Sequence, residues 1–409
     1  MLKAVIFDMD GVIIDSEPLH ARANILALKK YGINLTFDYV SQFIGKTILA
    51  MCETIKKDYN LEISAKELSQ ESAYQIEMLH SKEGYTPIPY VKELIEDLHR
   101  HGIKLAIASS STIELIEKIT DVFQIRPYFT ALISGLSVAH SKPAPDIFLK
   151  ACDELGVTPE EAIVIEDSTN GVLAATRANI AAIGYVNSHS GNQDLSKASI
   201  LIEGFEEIDC DFIRRVHCHA HNIPANIVET DRLFIRELGM EDVPTLFHLY
   251  QDETFKANHL VYAKTLEDAS AKHEAYIKHM YHFHGYGLWG VFLRDTKELI
   301  GHCGIELKEI LIKDKKQTVH ELCYGIKKEF QQKGYGKEAT RAIITYAKEV
   351  LYLNDLYALI SDTNTASKAL ASSLGFSPKS AASHIDDPTN TSSDHSNYIL
   401  YQLETRVLD

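Results

Sequence analysis

The chain has 409 residues, of which 45% are hydrophobic and 24% are charged. This length predicts two globular units, and the composition is typical of ordinary soluble proteins. A formal net charge of −16 argues against binding to nucleic acid or to an anionic membrane. The six cysteines form no CxxC pair, so neither a disulfide framework nor a structural zinc site is expected. With no export signal or apolar membrane segment in the sequence, we expect a cytoplasmic protein.

Residues 1–213 alternate short apolar runs with segments of helical periodicity. The apolar runs are KAVIF, KLAIAS, TALISG, AIVIED, AAIGYV and ASILIEGF. This alternation predicts an α/β domain with a Rossmann-like parallel sheet that is buried on both faces. Residues 16–85 interrupt the alternation with helical periodicity and no strong strand signal. We therefore expect a helical cap inserted after the first strand.

The periodicity fades over residues 214–228, which we interpret as a linker to a second domain at 229–409. In that domain GLWGVFLR, ELIGHCGIELKE and TVHELCYGIKK predict adjoining antiparallel strands. A glycine-rich turn, a helix, a strand, a second helix and a closing strand follow. The order of elements favours an α+β fold.

Polar side chains follow the predicted strands of the first domain. They are Asp8, Asp10, Ser109, Lys142, Glu166 and Asp167. Because the carboxyl ends of parallel strands meet at one edge of a sheet, we expect these groups to form one site. Carboxylates suit Mg²⁺, and one of a pair can attack phosphorus while its neighbour exchanges a proton. The alternatives are a solvated acidic turn, a surface lysine, and a helix N-cap role for Ser109, which is itself compatible with phosphate binding.

Four segments together resemble the motifs of the haloacid dehalogenase superfamily in order and spacing. They are DMDGVIIDSE, the serine of IASSS, the lysine of SKPAPDIF, and IEDSTNGV, and the resemblance covers residues 1–213. The first domain is similar in particular to the branch of β-phosphoglucomutases and sugar phosphatases, which carry a helical cap after the first motif. The resemblance implies that Asp8 is the nucleophile that forms an aspartyl-phosphate and that Asp10 is the general acid and base. Ser109 and Lys142 would hold the transferred phosphoryl group. The implied Mg²⁺ ligands are Asp8, the backbone carbonyl of Asp10, Asp167, and Glu166 directly or through water.

The resemblance also implies a small phosphorylated metabolite, such as a sugar phosphate, as substrate. Candidate substrate-binding residues are His20 and Lys46 in the cap and Ser110 beside Ser109. The reaction is that of a phosphatase if water takes the phosphoryl group from Asp8, and that of a phosphomutase if a second sugar hydroxyl takes it. The motifs leave both open. We favour the phosphatase, which needs no retention of a bisphosphorylated intermediate.

In the second domain, Gln331-x-x-Gly334-x-Gly336 follows a predicted strand and precedes a predicted helix. Such glycines let successive N–H groups converge at a helix N-terminus and bind an anion, although a plain turn is the alternative. Together with TDRLFIREL, LIGHCGI and NTASKALASSLGF, the pattern resembles the GCN5-related N-acetyltransferases of the ribosomal-protein type over residues 229–404. This resemblance implies acetyl-CoA as cofactor and an amine acceptor, either a small molecule or a protein N-terminus.

The same resemblance implies a set of cofactor-binding residues. They are Tyr324, Ile326, Gln332, Lys333, Gly334, Tyr335, Gly336, Lys337, Asn364 and Ser367. The amides from 332 to 337 would bind the pyrophosphate, and the strand from 324 to 326 would pair with pantetheine. Glu321 is a candidate base acting through water, or else an exposed residue of the sheet. Many relatives place a tyrosine in the helix before LGF, but ALASSLGF has none. The alternative of a cofactor-binding sensor or interaction module therefore stays open.

Overall fold

A computed structural model describes residues 1–43, 48–253, 255, 263–312, 315–384 and 398–404. The chain folds into two compact units, Met1–His221 and Asn222–Asp409. Within the described ranges, we find no helix with the length and apolar character needed to span a bilayer.

Six parallel strands form the sheet of the first unit. They are β1 (Ala4–Phe7), β2 (Lys104–Ser109), β3 (Ala131–Ser134), β4 (Ala162–Glu166), β5 (Ala181–Tyr185) and β6 (Ile200–Ile202). Their order across the sheet is β3-β2-β1-β4-β5-β6, and every neighbouring pair is parallel. The predicted Rossmann-like parallel sheet is therefore confirmed.

Helices cover both faces of this sheet, which is why its strands are continuous apolar runs. Val5 and Phe7 of β1 pack in the core on one face, and Ala4 and Ile6 pack in the core on the other. The helices on the first face are Val91–Arg100, Ile113–Val122 and Cys210–Ala220; those on the second are Asp146–Leu155 and Thr169–Arg177. Short 3₁₀ turns occur at Arg126–Tyr128, Gly135–Ser137 and Pro159–Glu161.

Between β1 and β2 the chain forms the predicted helical cap. Its helices are Glu17–Lys29, Phe37–Ser41, Ile48–Asp58 and Ala65–Glu83. The cap has its own apolar core, which includes Leu28, Ile55 and Leu68. Ser64 and Glu67 begin the longest helix with a capping box, in which each side chain binds the backbone N–H of the other residue. This segment can therefore pack as a separate layer.

A helix, Cys210–Ala220, runs through the first part of the segment interpreted as a linker. Asp209 starts it, because its carboxylate accepts a hydrogen bond of 2.7 Å from the N–H of Phe212. On its inner side Ile213, Val216 and His217 are buried. The apolar spacing is short and is interrupted by polar histidines, so the sequence interpretation missed the helix. The connection to the second unit spans only the few residues after His221, and β7 begins at Asn226.

The second unit is built on an eight-stranded mixed sheet. Its strands are β7 (Asn226–Glu229), β8 (Leu233–Arg236), β9 (Leu288–Leu293), β10 (Leu299–Ile312), β11 (Lys315–Ile326), β12 (Asp355–Ser361), β13 (Ser377–His384) and β14 (Tyr398–Glu404). Strands β9, β10 and β11 are antiparallel neighbours, as predicted. The helices are Val243–Leu249, Leu266–Tyr276, Tyr335–Glu349 and Thr365–Ser373, with a π-helix at Ile277–His284 and 3₁₀ turns at Met240–Asp242 and Lys328–Phe330. The expected α+β domain is confirmed.

Strands β11 and β12 are parallel but meet at only one pair of described residues, Glu321 and Tyr357. Next to this pair, the N–H of Leu359 donates to the carboxylate of Glu321 at 3.2 Å. Among the described residues, the β12 side of β11 from residue 322 to 326 has no strand partner. This edge of backbone is free to pair with an extended ligand.

Candidate active sites

Three buried carboxylates meet at the carboxyl ends of β1 and β4. Asp8, Glu166 and Asp167 each place an oxygen within 4.8 Å of the others, and their exposures are 7%, 0% and 5%. The sheet fixes Asp8 because its N–H donates to the carbonyl of Ile165 at 3.0 Å. Carboxylates this close and this buried repel one another unless positive charge lies among them.

Lys142 supplies part of that positive charge. Its Nζ donates to Asp8 Oδ1 at 2.5 Å, to Glu166 Oε1 at 2.6 Å and to the carbonyl of Ala108 at 3.0 Å. Burial alone would lower the pKa of Lys142, but the charges of Asp8 and Glu166 outweigh it and raise the pKa above its usual range. One ammonium group faces three carboxyl groups, so the site still favours a cation.

Asp8 and Asp167 lie in an environment that favours their protonated forms. Burial raises the pKa of Asp8 well above its usual range; the Lys142 ammonium opposes this, and the neighbouring acids add to it. Burial and the charge of Glu166 raise the pKa of Asp167 to about 7. The hydroxyl of Ser190 donates to Asp167 Oδ2 and partly offsets the shift. A cation bound here would stabilise the ionised carboxylates.

Two glycines leave room for the carboxylates. A Cβ at Gly11 would lie 1.9 Å from Asp167 Oδ2, and Gly11 also has a φ of +82°, which disfavours other residues. A Cβ at Gly171 would lie 1.8 Å from the carboxyl carbon of Glu166. Asn187 fixes the Gly11 turn by donating from Nδ2 to its carbonyl at 2.9 Å. The glycines of DMDGV and STNGV are therefore required by close approach.

The carboxylate of Asp10 faces three hydroxyl groups and is not a member of the three-acid group. It accepts hydrogen bonds from Ser16 Oγ at 3.0 Å, from Ser111 Oγ at 2.8 Å and from Ser109 Oγ at 3.4 Å. The expected role of Asp10 as a metal ligand rests on its backbone carbonyl and stays a prediction. Its side chain is oriented by donors, which suits a group that must exchange protons in a fixed direction.

Ser109 lies at the end of β2 and is fully buried. The prediction that it caps the following helix is wrong, because Thr112 occupies the N-cap and its Oγ1 accepts the N–H of Leu115 at 3.4 Å. Ser109 Oγ instead accepts the N–H of Ser111 at 3.1 Å. The local turn thus presents the serine hydroxyls to the site and leaves helix capping to a threonine.

On the cap side, aromatic side chains from the two chain segments that join the cap to the sheet domain lie next to one another. His20 lies in the first cap helix, and its ring centroid is 6.0 Å from that of His80 in the last cap helix. His80 stacks on Tyr85 at 4.3 Å, and Lys118 Nζ lies 5.5 Å from the centre of the Tyr85 ring. Burial lowers the pKa of His20, with the charge of Asp10 opposing the shift. His20 is therefore close enough to Asp10 for their charges to interact.

The structure shows less about the other two predicted substrate-binding residues. Lys46 lies outside the described residues, and Ser110 is exposed. Glu17 is a further acid on this side: burial, Asp10 and Asp15 raise its pKa to about 7. It can therefore both donate and accept hydrogen bonds near neutral pH, which suits contact with hydroxyl groups.

In the second unit, the loop before the helix Tyr335–Glu349 presents free donors. Among the described residues, no acceptor takes the backbone N–H of any residue from 332 to 337. Gly334 has a φ of +85° and begins the helix as its N-cap. Gln331 holds the loop against β11 by donating from Nε2 to the carbonyl of Ile326 at 2.9 Å. Consecutive free N–H groups at a helix N-terminus form an anion cradle.

Residues predicted for the cofactor side lie together beside this loop. Tyr324 of β11 donates from its hydroxyl to Ser367 Oγ at 2.9 Å. Asn364 caps the helix Thr365–Ser373 by accepting the N–H of Ser367 at 3.0 Å. Ile326, at the end of β11, is 6% exposed. The structure therefore joins the strand and the helix that the sequence assigned to the same ligand.

Glu321 is 6% exposed, so the alternative of an exposed sheet residue does not hold. It lies directly opposite Glu306 on β10. Burial raises the pKa of Glu321 to about 7; Lys308 opposes the shift and Glu306 adds to it. Glu306 is paired with Lys308 Nζ at 3.0 Å and accepts a hydrogen bond from Tyr276 at 3.2 Å. A carboxyl group with this pKa can take up a proton near neutral pH.

Sequence reasoning missed several members of these sites. Ser111 was within reach, since it directly follows the two serines already named in the IASSS motif. Ser16, Asn187 and Ser190 lie in loops without periodic signal, and their contacts with the acidic motifs appear only in the folded chain. Glu306 stands in an alternating strand, where its partner is not evident from spacing.

Both units of the chain are similar to known protein families. A family model described as haloacid dehalogenase-like hydrolase matches residues 5–185, and one described as acetyltransferase (GNAT) domain matches residues 232–377. A phosphoglycolate phosphatase of Aquifex aeolicus is 32% identical over 209 residues, which is 49% of this chain and 96% of the relative. A phosphorylated carbohydrates phosphatase of Thermotoga maritima is 32% identical over 214 residues, 51% of this chain and 96% of the relative. Hexitol phosphatase B of Escherichia coli is 30% identical over 185 residues, 44% of this chain and 82% of the relative.

The chain belongs to the haloacid dehalogenase-like hydrolases through its first unit, and its second unit carries a GNAT acetyltransferase domain. Both are enzyme classes.

Proposed function

We propose that the first unit is a Mg²⁺-dependent phosphatase of a small phosphorylated metabolite, in particular a sugar phosphate, that works through an aspartyl-phosphate. The observation that carries the proposal is the placement of Asp8, at the end of β1, between Lys142 and two further carboxylates. The names of the relatives, which include a phosphatase of phosphorylated carbohydrates and a hexitol phosphatase, support a sugar phosphate.

The donor set fits Mg²⁺. All candidate ligand atoms are oxygens, and three carboxyl groups face one ammonium group, so a hard dication balances the charge. Asp8, the backbone carbonyl of Asp10 and Asp167 would hold the ion, with Glu166 acting directly or through water. When bound, Mg²⁺ supplies positive charge for the oxygens of the transferred phosphoryl group.

The residues of the chain then divide the reaction between them. A carboxylate oxygen of Asp8 attacks phosphorus, the ester P–O bond breaks, and the leaving oxygen takes a proton from Asp10. Water next attacks phosphorus, gives its proton to Asp10, and releases phosphate and the free Asp8 carboxylate. Lys142 and Ser109 hold the phosphoryl oxygens, while Ser111 keeps Asp10 oriented for both proton transfers.

The test is phosphate release from an aryl phosphate and from a panel of phosphorylated metabolites, with and without Mg²⁺. Asp8→Asn should abolish release and leave the far-UV circular dichroism spectrum unchanged. Asp153→Asn, at an exposed position on a flanking helix, serves as the control. Full activity of Asp8→Asn would overturn the assignment, and a sugar bisphosphate among the products would favour the phosphomutase.

We further propose that the second unit is an acetyl-CoA-dependent N-acetyltransferase whose acceptor is a small-molecule amine or a protein N-terminus. The supporting observation is the run of free N–H groups from 332 to 337 at the start of a long helix, inside a segment that matches the GNAT family model. These donors would bind the pyrophosphate, and the unpaired edge of β11 from 324 to 326 would pair with pantetheine. Asn364 and Ser367 would line the other side.

Glu321 is the proposed proton acceptor for the amine, through water, because its pKa of about 7 lets it take up a proton at neutral pH. The helix Thr365–Ser373 carries no tyrosine that could protonate the thiolate, and this motivates the alternative of a cofactor-binding sensor. Calorimetric titration with acetyl-CoA beside an amine-acetylation assay decides between them. Binding with turnover supports the transferase, binding without turnover supports the sensor, and absence of binding contradicts both.

A further inference from the structure

Arg232, in the turn that leads into β8, lies against the anion cradle of the second unit, residues 332–337. Arg232 Nη1 donates to the carbonyl of Lys333 at 3.0 Å. A Cβ at Gly334 would lie 3.3 Å from Arg232 Nη2. The guanidinium carbon of Arg232 also lies 4.5 Å from the centre of the Tyr335 ring, a distance typical of a cation–π contact. Three consecutive residues of the cradle therefore lie against one side chain from a distant part of the sequence.

The same guanidinium pairs with Glu338, in the first turn of the helix. Arg232 donates to the Glu338 carboxylate from Nε at 2.7 Å, and its Nη2 lies 2.6 Å from Oε2. The hydroxyl of Thr230 and the backbone N–H of Arg232 complete the set of donors to Glu338, at 2.6 and 3.1 Å. Although partial burial acts to raise it, these hydrogen bonds lower the pKa of Glu338, so this acid is ionised at neutral pH.

An ionised carboxylate in the first turn has two opposite consequences. It is stabilised by the positive end of the helix, but it also repels a second anion that approaches the same helix end. The Arg232 guanidinium neutralises this charge, because its Nη2 lies 2.6 Å from Glu338 Oε2. The Arg232 side chain is 47% exposed, and that of Glu338 is 19% exposed. At the same time its bond to the Lys333 carbonyl fixes the peptide that carries the free N–H of Gly334.

We propose that Arg232 is a positioning residue for pyrophosphate binding: it neutralises Glu338 and holds the loop so that the free N–H groups from 332 to 337 can bind the acetyl-CoA diphosphate. The inference rests on the proposed acetyl-CoA function of this unit. Arg232 acts through Glu338 and Lys333, and no direct contact with the cofactor is required.

The test measures the Kd of acetyl-CoA by calorimetry on the full chain, together with the thermal unfolding midpoint. Arg232→Gln should weaken binding by about tenfold, the size expected for one uncompensated charge at a helix terminus. Glu338→Gln in the same chain removes the charge that Arg232 cancels, so the double variant should recover most of the lost affinity. Arg294→Gln is the matched control, because Arg294 binds the carbonyl of Thr230 at 2.9 Å on the same turn. It should leave the Kd unchanged.

The outcomes distinguish failure of the proposed function from failure of the inference. If the wild-type chain does not bind acetyl-CoA, the proposed function fails before any variant is compared. If the wild type binds and Arg232→Gln binds equally well, even with a lower unfolding midpoint, the arginine is purely structural and the inference is overturned. If the double variant stays as weak as Arg232→Gln, charge neutralisation is overturned as the cause.

Discussion

Removing the Lys142 ammonium should destabilise the first unit when no metal is present. In Lys142→Met the carboxyl groups of Asp8 and Glu166 lose the cation that lies 2.5 and 2.6 Å from them, inside a site where the lysine side chain is 7% exposed. Breaking a buried ion pair from one side costs about 3–5 kcal/mol. With a urea dependence of about 2 kcal/mol per M, the midpoint of the first unit should fall by about 1.5–2.5 M.

The single tryptophan lets the two units be followed separately in one sample. Trp289 is fully buried in the second unit, with its ring 5.5 Å from that of Tyr346. Urea unfolding in the presence of a chelator is therefore recorded by far-UV circular dichroism, which reports both units, and by tryptophan fluorescence, which reports the second. We expect Lys142→Met to lower the urea midpoint of the first unit, recorded by circular dichroism, and to leave the fluorescence midpoint of the second unit unchanged.

Two further samples test whether uncompensated charge causes the loss of stability. Asp8→Asn added to Lys142→Met removes one of the repelling carboxylates and should recover part of the lost stability. Mg²⁺ should raise the midpoint of Lys142→Met more than that of the wild type, since the ion replaces the missing positive charge. If the circular dichroism transitions of Lys142→Met and wild type coincide in chelator, the reasoning about uncompensated buried charge is refuted.

Three other predictions concern single side chains. Because the Ser190 hydroxyl donates to Asp167, Ser190→Ala should weaken Mg²⁺ binding by about tenfold in a thermal-shift titration. Ser196→Ala, at an exposed position, is the control and should leave Mg²⁺ binding unchanged. Equal Mg²⁺ binding by Ser190→Ala and wild type would show that Ser190 does not support Asp167 as a ligand. Because the pKa of Glu321 is raised to about 7, wild-type acetylation should rise more steeply with pH below 7 than that of Glu321→Gln, and parallel profiles would exclude it as the base. Burial lowers the pKa of His302 to about 4, so the stability associated with its neutral form should be lost as pH falls from about 6.5 to 4, by about 3 kcal/mol in total. His302→Gln should remove this dependence in fluorescence-detected unfolding, and an unchanged acid transition would contradict the assignment.

The fold of the first unit could be predicted because each strand is buried on two faces and is therefore a continuous apolar run. The acidic motifs follow these runs directly, so the edge of the sheet that gathers them was predictable as well. The hydrogen bonds that orient them were not. Ser111 reaches Asp10 across 101 positions in the sequence, and Ser190 reaches Asp167 from an irregular loop. Such contacts depend on how the loops cross in three dimensions, and a one-dimensional pattern carries no signal for them.

The second unit shows the same division. The order of strands and the glycine turn could be predicted, since both have local signals in apolar alternation and in glycine spacing. The burial of Glu321 could not, because it depends on the limited pairing of β11 with β12 and on Glu306 from the neighbouring strand. In the first unit, the short helix at Cys210–Ala220 was missed for a related reason: its apolar face is narrow, and only packing against the sheet shows that it is a helix.

The helix Cys210–Ala220 also determines where the chain can be divided for separate expression of its two units. Its first N–H, that of Cys210, donates to Asp97 Oδ2 at 2.9 Å. A fragment that stops at residue 213 would discard most of the helix and expose the apolar side chains it covers, which favours aggregation. A fragment that stops after His221 keeps this cover in place, so soluble yield from the two truncations offers an inexpensive guide to designing single-activity versions of the chain.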